Sequence, residues 1–248
     1  MQKYSFIFIT FTAISLQSCA QTWNLKNIQN QVENTVNTVA GGGSNALSND
    51  DIIKGLKEAL NVGTNNSTAK ASVLDGFYKN DLIKIPFPPE ANQVKTTVEN
   101  LGLKPQVDKF VMTLNRAAEE AAKEAKPVFV NAITSMTIQD GLGILNGGDK
   151  AATTYLQNKT AAELSAKFSP IVKRAIQKVE LTKYWNPIIT KYNKVPFVQK
   201  VNPDLDKYVT DKALEGLFKL VAEEETKIRK DPAARISEIL KRVFGGHN

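Results

Sequence analysis

The hydrophobic pattern of the chain is most regular between Pro105 and Lys126. When each residue is given about 100° of helical turn, the apolar positions fall on one stripe that is wider than a surface helix needs. They are Val107, Phe110, Val111, Leu114, Ala117, Ala118, Ala121, Ala122 and Ala125. The second half of the stripe is almost entirely alanine, which lets another helix approach closely. The pattern predicts a central helix packed from more than one side.

Helix signals recur along the rest of the chain. Ser48 with Asp51, Thr137 with Asp140, and Thr160 with Glu163 have the spacing of a capping box, and Asp149 is placed to cap a further helix. Asp75-Gly76 indicates a turn, and Gly102 a helix end. These signals predict an all-α fold: a single compact multi-helix domain of about nine or ten helices.

Several details of this helical pattern are more specific. Val62-Gly63-Thr64 indicates a bend that separates two helical segments, and Pro170 predicts a kink. Leu101 is expected to face inward. Two proline-containing stretches, 82–88 and 194–198, are typical of extended chain. They allow at most one short two-stranded ribbon.

Residues 1–18 have the pattern of a secretory signal, with Lys3 followed by an apolar core of roughly ten residues, too short to span a bilayer. Leu16-Gln17-Ser18-Cys19 resembles the bacterial lipobox, although Gln17 is an atypical second residue. The resemblance implies cleavage between Ser18 and Cys19 and lipid on Cys19. The alternative is an ordinary signal peptide with an incidental cysteine, which would give a secreted periplasmic protein.

Residues 19–47 form the predicted tether. Leu25, Ile28, Val32, Val36 and Val39 recur at helical spacing, which fits either an amphipathic helix or a frayed polar stalk. The glycine run at 41–43 then predicts a flexible hinge before the domain at 48–248. No acidic residue closely follows Cys19. By comparison with other lipoproteins, this predicts the periplasmic face of the outer membrane.

Composition limits the chemistry that the chain can perform. The 248 residues are 42% hydrophobic and 23% charged, which suits one sizeable core, and the formal charge of +7 favours loose contact with anionic lipid or wall polymers. We interpret the basic residues as spread along the chain and interleaved with acidic ones, which argues against nucleic acid as a partner. One cysteine excludes an intrachain disulfide, and the scarcity of cysteine and histidine argues against Ser-His-Asp or Cys-His catalysis and against zinc sites of histidine and cysteine. No catalytic residue, metal or cofactor is predicted.

Five polar residues are candidates for binding: Asn115, Arg116, Glu119, Asn146 and Asp149. Asn115 lies at the edge of the apolar stripe, where a structural amide is favoured over a ligand contact. Glu119 with Lys123, and Glu225 with Arg229, have the spacing of solvated i,i+4 pairs. The amides near Asn146 and Asp149 suit an anion, but a simple turn between helices is favoured there.

Longer stretches carry a family resemblance: LKEALNVGT at 56–64, GFYKN at 76–80, IKIPFP at 83–88, LNRAAEEAA at 114–122, and the runs 132–160 and 213–245. On these motifs the chain resembles the bacterial domain-of-unknown-function family 4197 over nearly all of residues 48–246. The resemblance implies a secreted, often lipid-anchored helical domain. It implies no reaction and no catalytic residue.

Three functions are consistent with these patterns. The first is an envelope lipoprotein whose domain, without enzymatic activity, binds an envelope protein or an apolar ligand, or serves as a scaffold. The alternative is a carboxylate-dependent hydrolase acting on cell-wall or lipid substrates. The third is a structural spacer.

Overall fold

The computed structural model describes residues 48–178, 185–194, 196–197, 200–202, 204–235 and 237–245. The predicted leader and tether lie outside these residues. The described part is helical and contains no strand, which confirms the all-α class. Its α-helices are α1 Asn49–Ser72, α2 Asn92–Val98, α3 Lys104–Ala122, α4 Ala125–Thr134, α5 Ile138–Leu145, α6 Ala151–Ile176, α7 Trp185–Tyr192, α8 Leu205–Lys230 and α9 Glu238–Gly245.

Helix α3 is the centre of the domain, as its apolar stripe predicts. It packs against α1, α6 and α8. Eight positions of the stripe, all except the half-buried Val111, are at most 1% exposed. The alanines at the end of α3 let these neighbours approach closely because a methyl group adds little bulk. The residues Leu47–Asn248 form one compact unit, and its buried apolar core runs from Leu56 to Phe244.

Helix α1 runs without interruption, so the predicted bend at Gly63 is wrong. Gly63 lies where α8 packs on α1, and an added Cβ would make an ordinary van der Waals contact of 3.4 Å with the Cβ of Glu224. The Thr64 hydroxyl donates to the Leu60 carbonyl within the helix. The capping box of Ser48 and Asp51 is confirmed at the start of α1.

Helix α6 is also longer than predicted. Thr160 is not a cap but lies in its middle, where its hydroxyl donates to the Leu156 carbonyl. Pro170 lies inside the same helix. Asp149 does not cap α6, because the N-cap is Lys150 and makes no side-chain cap bond. The capping box of Thr137 and Asp140 is confirmed at the start of α5.

Residues 73–91, the connecting segment, contain no α-helix and cross the domain between α1 and α2. The predicted turn begins it: Asp75 has a φ of 67°, and an added Cβ at Gly76 would lie only 2.4 Å from the Lys70 carbonyl oxygen. Gly216 of α8 makes room for the same segment, because a Cβ there would lie 2.8 Å from the Phe77 ring. Glycine at 76 and 216 therefore lets the backbone pass close to two helices.

The two proline-containing stretches have different surroundings in the fold. Phe87 is buried in an aromatic cluster, with its ring centroid 5.1 Å from that of Phe110 and 5.6 Å from that of Trp185. Phe197 is fully exposed. The predicted ribbon and the total of nine or ten helices are not confirmed, since residues 179–184, 195, 198 and 199 lie outside the described ranges. Leu101 is 72% exposed, so its predicted inward orientation is wrong.

Candidate functional site

Three of the predicted binding residues lie together. Asn115, Arg116 and Glu119 are on α3, where this helix faces the connecting segment. In that segment, Glu119 binds the stretch 76–80 and Asn115 binds the stretch 83–88, so three of the motifs that carry the family resemblance meet here. The arrangement follows from the apolar stripe, because polar residues at its edge are brought against the backbone of a segment with no α-helix of its own.

Asn115 is completely buried and pairs with the backbone of Ile85. Its Oδ1 accepts the Ile85 N–H at 2.8 Å, and its Nδ2 donates to the Ile85 carbonyl at 2.8 Å and to the Val111 carbonyl at 2.8 Å. The side chain thus supplies the two bonds that a neighbouring strand would supply to Ile85. These bonds favour the structural role of Asn115 over ligand contact.

Glu119 binds two successive backbone amides of the connecting segment. Its Oε1 accepts the N–H groups of Phe77 and Tyr78, both at 3.1 Å, and its Oε2 lies 2.6 Å from Arg116 Nη1. Glu119 is only 4% exposed, so the predicted solvated pair with Lys123 is wrong. Lys123 pairs instead with Glu120.

Arg116 links Glu119 to the turn at Asp75. Its Nη2 lies 2.6 Å from Asp75 Oδ1. Hydrogen bonds from Lys79 and then from Arg116 hold the pKa of Asp75 below its usual value. The chain of Lys79, Asp75, Arg116 and Glu119 therefore consists of alternating basic and acidic groups that are already paired with one another.

A groove of about 240 Å³, the Tyr78 groove, lies beside this chain of charges. Its lining includes Tyr78, Lys84, Phe87, Lys95, Val107 and Val111. Lys84 Nζ lies 4.8 Å from the centre of the Tyr78 ring, and Arg116 Cζ lies 5.5 Å from it. Phe87, Val107 and Val111 form its apolar floor, and the basic residues Lys84 and Lys95 lie at its rim.

The rim charges differ in how they are neutralised. Lys95 lies 4.0 Å from Glu99, and Asp108 pairs with Lys104 at 2.6 Å. Lys84 forms no ion pair within the residues that the structure describes, and its Nζ lies over the face of Tyr78. The groove therefore has the chemistry to hold a ligand that combines an apolar body with one anionic group.

Asn146 and Asp149, the other two candidates, lie in the loop between α5 and α6 and bind none of the partners of Asn115 or Glu119. Asp149 pairs with Lys230 at 2.8 Å, and this hydrogen bond lowers its pKa. The anion expected at the start of α6 is a side chain of the protein itself. Glu225 accepts the N–H groups of Ala152 at 3.0 Å and Thr153 at 2.8 Å.

Glu225 is buried, although the sequence pattern predicted a solvated pair with Arg229. It is 8% exposed, and besides the two amides it accepts the Thr153 hydroxyl at 2.7 Å and Arg229 Nε at 2.9 Å. Arg229 Nη2 in turn donates to the Ile144 carbonyl. The predicted pair of Glu225 and Arg229 is confirmed, but it is largely buried and ties α8 to α5 and α6.

The described residues contain no group of three or more His, Cys, Asp or Glu side chains placed to hold a metal ion. None of their single helices is long and apolar enough to cross a membrane, although the bent pair of α4 and α5 passes the same test of length and composition when taken together. Ser18 and Cys19 lie outside the described residues.

Comparison with known proteins gives one match. The model of a family described as proteins of unknown function, DUF4197, matches residues 46–245, which is most of the chain. No curated protein matches the chain, and neither does any solved structure.

Proposed function

The chain therefore belongs to the DUF4197 family, and we propose that it is a binding domain without enzymatic activity. Its Tyr78 groove takes a ligand with an apolar body and an anionic group. The observation that carries the proposal is the state of the two buried carboxylates among the described residues. Glu119 and Glu225 each bind two backbone amides and an arginine. A carboxylate held in this way is poorly suited to exchange protons with a substrate.

The groove itself offers binding groups rather than reacting groups. A general acid needs a carboxyl with a raised pKa within reach of the substrate. The only acid in the lining of the groove is Asp108, which is exposed and pairs with Lys104. Burial raises the pKa of Asp206, but this residue lies outside the groove. The hydrolase alternative therefore has no favoured residue here.

The proposed place of action is the cell envelope. The support is in the sequence: the leader, the lipobox-like stretch ending in Cys19, and the glycine run at 41–43. Lipid on Cys19 would hold the domain at the periplasmic face of the outer membrane, with the tether giving it reach. In the envelope the groove would bind one of two kinds of partner. One is a protein with an exposed segment that is both anionic and apolar, and the other is an apolar ligand.

The groove is tested by binding of 1-anilinonaphthalene-8-sulfonate, a probe with an apolar body and one anionic group. The chain from Leu47 to Asn248 contains Trp185 as its only tryptophan, and this residue packs against Phe87 in the lining. Saturable energy transfer from Trp185 to the probe is expected. Val111→Asp should weaken binding about tenfold, because it places a carboxylate on the apolar floor.

The matched control is Thr113→Asp, two residues further along α3 at a half-buried position that does not line the groove. It should bind the probe as the unmodified chain does. Equal weakening by both substitutions would show that the probe binds elsewhere. Turnover of peptidoglycan or phospholipid by the purified domain, lost in Glu119→Gln or Asp206→Asn, would favour the hydrolase instead.

Replacement of the proposed lipidation site gives a second prediction. Cys19→Ser removes the only thiol of the chain, so acylation and the lipoprotein type of cleavage should be lost, while the helical domain stays folded. Metabolic labelling with a fatty-acid analogue, followed by detergent partitioning, measures both effects. Equal labelling of the two proteins, or an unmodified protein found wholly in the aqueous phase, would contradict the anchor.

A further inference from the structure

The positive charge of the chain is concentrated in one segment. Residues 164–203 contain eight basic residues and one acidic residue, Glu180, so their net charge is +7. This equals the +7 of the whole chain, and the remaining residues are together neutral. The expectation that basic and acidic residues are evenly interleaved does not hold here. The basic residues are Lys167, Lys173, Arg174, Lys178, Lys183, Lys191, Lys194 and Lys200.

These charges are also less paired than charges elsewhere. The structure describes the side chains of six of the eight, all except Lys183 and Lys191, and none of the six forms an ion pair with a described residue. On α8, by contrast, Lys207, Lys212 and Lys219 each pair with an acid. Five of the six side chains are exposed, and Lys167 is half-buried. These basic side chains are therefore available to bind an external anion.

An exposed aromatic ring lies within the same segment. Phe197 is fully exposed, and its φ of 64° is a left-handed conformation that bulky side chains rarely adopt. Both features cost free energy in water, unlike the burial of Phe87 in the comparable stretch of the connecting segment. A phenyl ring held in solvent between Lys194 and Lys200 is typical of a surface that enters a lipid interface.

The basic residues belong to two neighbouring parts of the chain. Lys173, Arg174 and Lys178 lie at the end of α6, and Lys194, Phe197 and Lys200 follow α7. Residue 178 is seven positions before the start of α7, and this link spans at most about 25 Å. The eight residues of α7 add about 12 Å, so the ends of α6 and α7 lie within roughly 40 Å of each other.

We propose that a basic surface of the domain docks on an anionic lipid bilayer, with Phe197 entering the headgroup region. This basic surface consists of Lys173, Arg174, Lys178, Lys194 and Lys200. Lysine and arginine near such a bilayer gain attraction to its surface potential, and the ring gains from leaving water. This contact is separate from the proposed lipid on Cys19 and does not depend on it. It would bring the folded domain itself against a membrane.

Sedimentation with vesicles tests the basic surface. The chain from Leu47 to Asn248 lacks Cys19 and keeps the whole buried core. It should bind vesicles of phosphatidylglycerol and phosphatidylcholine and leave pure phosphatidylcholine vesicles in solution. Phe197→Ser should weaken binding about tenfold. The triple substitution Lys173→Gln, Arg174→Gln, Lys178→Gln should weaken it roughly a hundredfold.

Two matched controls keep the result specific. Leu101→Ser changes another exposed apolar side chain, and Lys54→Gln, Lys109→Gln, Lys126→Gln removes three exposed basic charges outside the segment. Both should bind as the unmodified chain does, with circular dichroism confirming that every variant is folded. Soluble polyphosphate and a DNA oligonucleotide serve as competitors, and neither should displace the vesicles at equal charge.

Three results would overturn the proposal. Absence of binding to anionic vesicles is the first. A control triple that weakens binding as much as the basic-surface triple would show that only net charge matters. Full displacement by the soluble polyanions, with no effect of Phe197→Ser, would assign the surface to a polyanion. A failure here leaves the Cys19 labelling and the Tyr78 groove results unaffected, so the proposals are separable.

Discussion

Glu225→Ala is expected to lower the free energy of unfolding by about 3–5 kcal/mol, because it breaks a buried charge pair from one side. The substitution leaves the N–H groups of Ala152 and Thr153 without their acceptor at the start of α6. It also leaves Arg229, whose side chain is 14% exposed, without its carboxylate. Urea denaturation followed by circular dichroism gives the midpoint and slope from which the change is obtained.

Glu223→Ala is the matched control, two positions earlier on the same helix. Glu223 pairs with Lys70 at 3.3 Å, but its side chain is 41% exposed, so its loss should cost about 0–1 kcal/mol. Both variants remove one carboxylate and one methylene group from α8. Similar losses in the two variants would show that Glu225 is not the link between α8 and α6.

The second large effect concerns Asn115. Asn115→Leu keeps the number and branching of the side-chain heavy atoms but leaves the N–H and C=O groups of Ile85 unpaired in the core, and we expect a loss of about 2–4 kcal/mol. Faster hydrogen exchange at the Ile85 amide, relative to amides within α6, is the local sign of this change. Chemical denaturation measures the loss of stability, and mass spectrometry or NMR measures the exchange.

Thr113→Val on α3 is the comparison for Asn115→Leu. The Thr113 hydroxyl donates only to the Lys109 carbonyl of its own helix, so its removal should change stability by less than about 1 kcal/mol. An Asn115→Leu variant with unchanged stability and unchanged exchange at Ile85 would mean that the amide is free for another role. In that case ligand contact by Asn115 would become the better interpretation.

Helix α3 shows how much of the fold the sequence pattern predicts. The apolar stripe identifies seven residues of α3 that the structure buries almost completely, and its eighth buried residue, Ala125, begins α4 because α3 ends at Ala122 rather than at the predicted Lys126. Periodicity works here because the same side of the helix meets neighbours along its whole length. The capping boxes at Ser48 and Thr137 are confirmed for a similar reason, since their donors and acceptors lie three residues apart.

Gly63, Thr160 and Asp149 show where local signals mislead. In isolation, a glycine predicts a bend, whereas a threonine three residues before a glutamate and an aspartate in a loop predict helix caps. In the fold, Gly63 lies within a continuous helix against α8, the Thr160 hydroxyl donates to a carbonyl within α6, and Glu225 takes the place that Asp149 was expected to fill. Packing between helices outweighs a local preference of about 1 kcal/mol.

The candidate site divides in the same way. The sequence indicated Asn115, Arg116 and Glu119, but it assigned Glu119 to Lys123 and Glu225 to solvent. Neither periodicity nor charge spacing contains the information that corrects these assignments, because two of the donors to each carboxylate are backbone N–H groups of residues far away in the sequence. Every residue except proline carries such a group, so no residue type signals the partner.

By itself the sequence determined the helical class, the buried side of α3, the caps at Ser48 and Thr137, and the family to which the chain belongs. Only the tertiary structure decided which amides the buried polar side chains bind and where the Tyr78 groove opens. The physical reason is the range of the interactions. Helical periodicity and caps act over three or four residues, whereas Asn115, Glu119 and Glu225 bind amides 30, 42 and 73 residues away.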